Sequence, residues 1–165
     1  MCAACSASSK LGAKSVDEQQ VEIVGTAALT VALIREGFEV ARPIRDRGID
    51  LIVFSDSPGE PFAAVPVQVK VHSGTALEVD QGYERFHGLV YAVVWNAAAQ
   101  PRFFLFDHAE AISLVPESSR ETKSWTQGKH WTWTTAPQHL HARLAQYENR
   151  WDWLHSRLGR RPAQV

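Results

Sequence analysis

Cysteine is scarce in this chain: Cys2 and Cys5 are the two it has. They form one C-x-x-C near the amino end, and no second such pair offers the further ligands that zinc would take. Cysteine use this sparse gives no disulfide framework and suits a reducing, cytoplasmic setting. Long apolar runs are missing too. None approaches the ~18 residues of a membrane-spanning helix, so no membrane association is expected. The opening stretch, MCAACSASSKLGAKS, lacks the apolar centre of a secretory signal. It is Ala, Ser, Gly and Lys with little to bury, and reads as a disordered tail over residues 1–15. An excess of charge of either sign is absent as well. A formal net charge of −1 gives no global mark of a nucleic-acid binder, although a local basic face would suffice. There is no P-loop, no G-x-G-x-x-G and no G-x-S-x-G, so no nucleotide cofactor is expected.

What is present is ordinary globular material. A hydrophobic share of 45% in 165 residues is enough to bury a core. Residues 16–115 read as that core. Residues 116–165 read as a Trp-rich segment and a terminal helix packed on the same domain. The first helix is expected from about Val16 to Glu36, with Ser15 or Asp17 as cap and Gly37 as its end. Its apolar positions Val21, Val24, Ala28, Val31, Ala32 and Leu33 or Ile34 recur at threes and fours. Phe38–Ala41 reads as a short strand stopped by Pro43. Residues 77–87 are expected to be helical, with Val79, Tyr83 and Phe86 on one side. The apolar run Leu89–Trp95 reads as a buried strand with Arg102–Asp107 as its hairpin partner. Asp107 is placed to cap a short helix through Ala111 and Ile112. A last helix is expected from Pro137 to Leu158. The order gives a mixed α/β, or α+β, domain with helices covering a central sheet.

The rest of the chain is arranged around Gly48–Val71. Asp50 opens a strand running to Phe54, and the turn formers of residues 55–61 follow. The next strand alternates: Val65, Val67, Val69 and Val71 point one way, Gln68 and Lys70 the other, ~7 Å apart. An Asp at a strand start, beside a strand carrying an amide and a Lys, is an arrangement that can hold a divalent cation and a water. Read singly, each residue has a plainer use: Asp50 as a strand-end acid, Gln68 and Lys70 as solvent-facing strand residues. His72 returns to the Gln68 and Lys70 face if the strand continues. Arg42, Arg45 and Arg47 form a loop before Asp50, suited either to phosphates or to solvation. Arg157, Arg160 and Arg161 make a weaker basic patch. Trp125, Trp131 and Trp133 suit packing onto a core better than stacking on bases. His139 and His141 lie two apart, which rules out one helical zinc face.

The succession of a helix, GFEVARP, GIDLIVF, a turn and VPVQVKV resembles the PD-(D/E)XK nuclease superfamily, in the Q-x-K form of the homing endonucleases of group I introns. The resemblance covers roughly residues 20–95. It implies a restriction-endonuclease-like mixed sheet flanked by helices and metal-dependent hydrolysis of DNA phosphodiesters. The family's Asp falls on Asp50, its Glu-or-Gln on Gln68 and its Lys on Lys70. The family's helix acid falls on Thr26, and Glu22, one turn earlier on the same face, is the substitute. The resemblance therefore implies Asp50, Gln68, Glu22 and the Val69 carbonyl as ligands of Mg²⁺, or of Mn²⁺ in its place. It implies Lys70 as the residue that activates or orients the water. Arg42, Arg45, Arg47 and His72 are the expected DNA contacts. DNA is the expected partner, and cutting both strands commonly calls for a homodimer. A nuclease fold that has lost catalysis and binds DNA or a protein partner is the alternative. An unrelated α+β protein with a coincidental D…QxK is the third reading.

Overall fold

The structure is a computed structural model, and it describes residues 17–45, 47–56 and 61–159. The expected tail, the Cys2–Cys5 pair and the arginines at 160 and 161 lie outside the described residues. Helix α1 spans Glu18–Arg35. Asp17 caps it: its side chain accepts from the Gln20 N–H at 2.7 Å, while Gln20 Oε1 accepts the Asp17 N–H. Gly37 follows the C-cap.

Strands β1 (Glu39–Ala41), β2 (Leu51–Ser55) and β3 (Ala63–Val71) form an antiparallel meander. A crossover containing β4 (Leu77–Asp80) then leads to β5 (Val90–Trp95), which pairs parallel to β3. Strand β6 (Arg102–Asp107) closes the sheet antiparallel to β5, giving the order β1-β2-β3-β5-β6. Asp107 caps α2 (His108–Leu114) through a capping box with Glu110. After α3 (Lys123–Thr126), strand β7 (His130–Trp133) pairs with β4 in a separate two-stranded sheet. Helices α4 (Gln138–Leu144) and α5 (Trp151–Arg157) are the last elements of the described residues.

Three expectations are corrected. First, α1 buries Val21, Gly25, Thr26, Leu29 and Leu33, and leaves Val24, Val31 and Ile34 exposed. The helix is apolar on two sides, and its smallest residues decide which side meets the sheet. A Cβ at Gly25 would overlap Val71 Cγ1, so only glycine lets α1 lie this close to β3. Second, residues 77–87 are not a helix. Leu77-Glu78-Val79-Asp80 alternates and pairs with β7, and a single 3₁₀ turn, Gln81–Arg85, follows. Asp80 accepts the Gly82 N–H at 2.6 Å, which favours a turn over a helical start. Third, the long terminal helix is broken between α4 and α5 by a turn at Ala145–Tyr147 and by Asn149, whose φ is +51°. Arg102 holds that break to β6 with two bonds to Glu148, both 2.7 Å.

The sheet carries a core on each face. On one side Val53, Val67, Val69 and Val94 pack against Leu29 and Leu33 of α1 and Leu154 of α5. On the other, Tyr91, Trp95, Phe104 and Phe106 pack against Leu77, Val79, Leu140 and Leu144. Trp131 is buried in this second core, with Trp125 and Trp133 against it. Trp151 and Trp153 both pack on the first. No described helix is long and apolar enough to cross a membrane.

Candidate functional site

Strand β2 begins opposite Val67 and so leaves the last residues of β3 uncovered on that edge. The Asp50 N–H still donates to the Val67 carbonyl, at 2.9 Å. Beyond that point β3 continues to Val71 with β5 alone beside it. Val69 therefore turns its N–H toward the side that β2 has vacated. Asp50 Oδ2 takes that N–H at 2.6 Å and also accepts Gln68 Nε2 at 2.6 Å. A strand residue sends its N–H and C=O to the same edge, so the Val69 carbonyl also faces this notch. Gln68 Nε2 reaches it at 3.3 Å. Both amide hydrogens of Gln68 are thus engaged, yet its Oε1 is buried without a hydrogen-bond partner. Gln68 is only 6% exposed. A buried acceptor left without a partner costs about 1–3 kcal/mol, and a cation or donor placed there would recover it.

Lys70 points to the same face as Gln68. Its Nζ lies 3.3 Å from Glu78 Oε1 and 5.7 Å from the centroid of the Tyr83 ring. Burial alone pulls this ammonium down, but Glu78, Tyr83 and Asp50 together outweigh it, and Lys70 is held above the usual lysine range. It is therefore a fixed cation at neutral pH. His72 continues the face. Burial, opposed by Glu78 and reinforced by Lys70, pushes its imidazole below the ordinary 6.5, so it is neutral at pH 7. Its Nε2 is also buried without a partner. Tyr83 is held above its ordinary range chiefly by burial. It fixes the approach to Asp50: Gly48 has φ +92°, and a Cβ there would come within 2.8 Å of Tyr83 Cε1.

These groups line one groove of about 750 Å³, which holds Glu22, Asp50, Gln68, Lys70, His72 and Glu78. Among the described residues, four carboxylates, from Glu18, Glu22, Asp50 and Glu78, and one ammonium, from Lys70, line it. Such a field draws cations and repels phosphate unless a cation intervenes. Glu22 is exposed at the rim, on α1, and also borders a smaller pocket of about 210 Å³ with Asp50 and Arg42. Thr26, where the resemblance expects a helix acid, is buried and borders that smaller pocket. Arg47 borders an adjoining groove of about 680 Å³ with Arg85 and Tyr83. Arg85 donates to the Arg47 carbonyl at 3.2 Å. Arg45 is exposed and lines none of these three hollows.

The oxygens at the notch are those of the Asp50 carboxylate and the Val69 carbonyl, both of which accept from Gln68 Nε2; the Gln68 amide oxygen would join them once the amide turns over. That set suits a hard cation such as Mg²⁺. Among the described residues no three His, Cys, Asp or Glu side chains gather as a ligand cluster. A cation here would therefore depend on the amide and main-chain oxygens beside Asp50. Glu78, Tyr83 and Arg85 were missed as site residues by the sequence reading. The polar-apolar alternation of Leu77–Asp80 was the available signal, since it places Glu78 on a strand face rather than on a helix.

The five-stranded mixed sheet flanked by helices is a mixed α/β fold shared with a nuclease. The solved structure of a bacterial homing endonuclease superposes on it with a TM-score of 0.50, over 88% of this chain and 96% of that chain, at 15% identity. No protein-family model and no curated protein sequence matches the chain.

Proposed function

We propose that this chain is a metal-dependent endodeoxyribonuclease of the PD-(D/E)XK type in its Q-x-K form. The observation that carries the reading is the notch at the start of β2. There Asp50, Gln68, Val69 and Lys70 line one groove, with the Gln68 NH2 bridging the Asp50 carboxylate and the Val69 carbonyl in the place a cation would take once the amide turns its unpartnered Oε1 inward. Mg²⁺, or Mn²⁺ in its place, would be held by Asp50, Gln68 and Val69, with Glu22 reaching in from α1. When bound it would polarise the scissile phosphate and the attacking water. Lys70 remains protonated beside Glu78, so it acts as a charge rather than as a base. It orients the water and offsets the negative charge that builds on the phosphate in the transition state. The water oxygen bonds to phosphorus and releases its proton to solvent as the P–O bond to the departing sugar oxygen breaks, and that oxygen takes up a proton from solvent. Arg42 at the site, and Arg47 with Arg85 in the adjoining groove, would take flanking phosphates of the DNA. Arg45 and His72 are weaker DNA contacts, Arg45 because it lies off the grooves and His72 because its Nε2 is enclosed.

A second reading is a catalytically inactive nuclease fold that binds DNA or a protein. It is favoured by one observation: no cluster of three titratable ligands forms among the described residues. Incubation of supercoiled and linear DNA with the protein in Mg²⁺, in Mn²⁺ and in chelator separates the two. Nicking in either metal, absent in chelator and absent in Lys70→Ala with the fold intact, is the expected result. Cleavage by Lys70→Ala at the wild-type rate would sink the mechanism. DNA binding without cleavage in any metal would favour the second reading.

A further inference from the structure

Helix α1 carries a second apolar face that the sheet does not cover. Ile23, Val24, Val31 and Ile34 are 62%, 46%, 48% and 57% exposed. Gln20, Val24, Ala27, Val31 and Ile34 follow the alternating four-three spacing of a coiled-coil seam, with Ile23 alongside. A helix that packs on one side against a sheet normally turns a polar face outward. Here the outward stripe carries no charge from Gln20 to Ile34. Thr30 at its edge satisfies its own hydroxyl, since Oγ1 donates to the Thr26 carbonyl at 2.8 Å. That hydroxyl could therefore be covered without losing a partner.

We infer that a second copy of this chain covers the stripe, through an antiparallel pairing of α1 with the partner's α1 about a two-fold axis near Ala27. The charges and side-chain sizes select this occupant. Asp17 caps the start of the helix and Arg35 lies in its last turn. Antiparallel pairing brings Asp17 toward the partner's Arg35, Gln20 toward the partner's Ile34 and Val24 toward the partner's Val31. All three pairs share a midpoint close to Ala27. Parallel pairing would instead set Asp17 against the partner's Asp17 and Arg35 against the partner's Arg35. It would also align the helix dipoles unfavourably. Ala27, the smallest residue of the seam, sits at the crossing and permits close approach. Residues 1–16 are a poor alternative cover, because their large aliphatic residues are only Met1, Leu11 and Val16. The seam alone is narrower than a standard interface, so self-association in the micromolar range is expected. The pairing does not depend on the nuclease reading. It would, however, supply the second site that cutting both strands needs.

Light scattering on the full chain across the micromolar range tests it. The expected result is a concentration-dependent rise from 18.4 kDa toward twice that mass, returned to the monomer by Val31→Glu with an unchanged circular-dichroism spectrum. Should Val31→Glu misfold, cysteine pairing reads the same interface. With Cys2 and Cys5 replaced by Ser, Ala27→Cys should oxidise to a covalent dimer. Two helices ~8–9 Å apart, each with a Cα radius of ~2.3 Å, leave facing Cα atoms within disulfide reach. A mixture of Val24→Cys and Val31→Cys chains should cross-link, and Val24→Cys alone should not. A monomer at every concentration would overturn the inference. So would a dimer indifferent to Val31→Glu, or efficient self-linking of Val24→Cys. A monomer that still cleaves DNA would remove this interface and leave the nuclease reading standing.

Discussion

Replacing Asp50 by Asn and by Leu should separate what this residue does for the fold from what it does for chemistry. Its Oδ2 accepts two donors, the Val69 N–H and Gln68 Nε2, each at 2.6 Å. Asn keeps an oxygen that can take both donors and loses only the charge assistance, so Asp50→Asn should cost ~1 kcal/mol. Leu accepts neither. It strands a main-chain N–H in β3 and the amide of a buried Gln68, at about 1–3 kcal/mol each, so Asp50→Leu should cost ~2–6 kcal/mol. Urea unfolding should show this ordering through the midpoint, with the slope unchanged. Plasmid nicking should show something else: both variants inactive, because both remove the carboxylate that sits beside Gln68 and Val69. Asp50→Leu as stable as wild type would refute the account of how β2 begins. Asp50→Asn cutting DNA at the wild-type rate would refute the chemistry while leaving the fold argument in place.

Gln68→Glu exchanges the amide that donates to Asp50 for a second carboxylate at 2.6 Å. Without metal it should lose ~2 kcal/mol at neutral pH and gain more thermal stability from added Mg²⁺ than wild type does. Equal thermal shifts in the two proteins would count against Gln68 as a ligand. His72→Gln tests the buried imidazole. The folded pKa lies below 6.5, so the folded state binds fewer protons than the unfolded state as pH falls below that value. This contribution to stability is therefore lost on acidification, and Gln cannot titrate. The urea midpoint of His72→Gln should fall less than that of wild type between pH 7 and pH 5. Parallel falls would mean that His72 is exposed and ordinary.

Much of the sheet was legible because its strands carry their period openly. The valines of β3 alternate, and β5 is a continuous apolar run between turns. That Gln68 and Lys70 share a face followed from that alternation, since a period of two fixes which residues do; Asp50 was nominated as the acid at the start of the neighbouring strand. Two elements were not legible for a shared reason: apolar residues at threes and fours fit more than one structure. The spacing of Val79, Tyr83 and Phe86 suggested a helix, whereas tertiary pairing with β7 made Leu77–Asp80 a strand. On α1 the spacing at threes and fours suggested a face through Val24 and Val31, whereas the close approach of Gly25 to Val71 turned Leu29 and Leu33 inward. Glu78 escaped notice because its role exists only once β4 is a strand standing beside Lys70. The break at Asn149 depends on Arg102 reaching Glu148 from 46 residues earlier, which no local pattern records.

The proposed chemistry requires that a divalent cation occupy the notch at the start of β2. Titration of ¹⁵N-labelled protein with substoichiometric Mn²⁺ reads this directly, because the paramagnetic ion broadens nearby amides first. The Gln68 side-chain amide and the main-chain amides of Asp50 and Val69 should broaden before any others. Excess Mg²⁺ should restore them, and Asp50→Asn should be spared. Broadening that begins elsewhere, or that is the same in Asp50→Asn, would contradict the site.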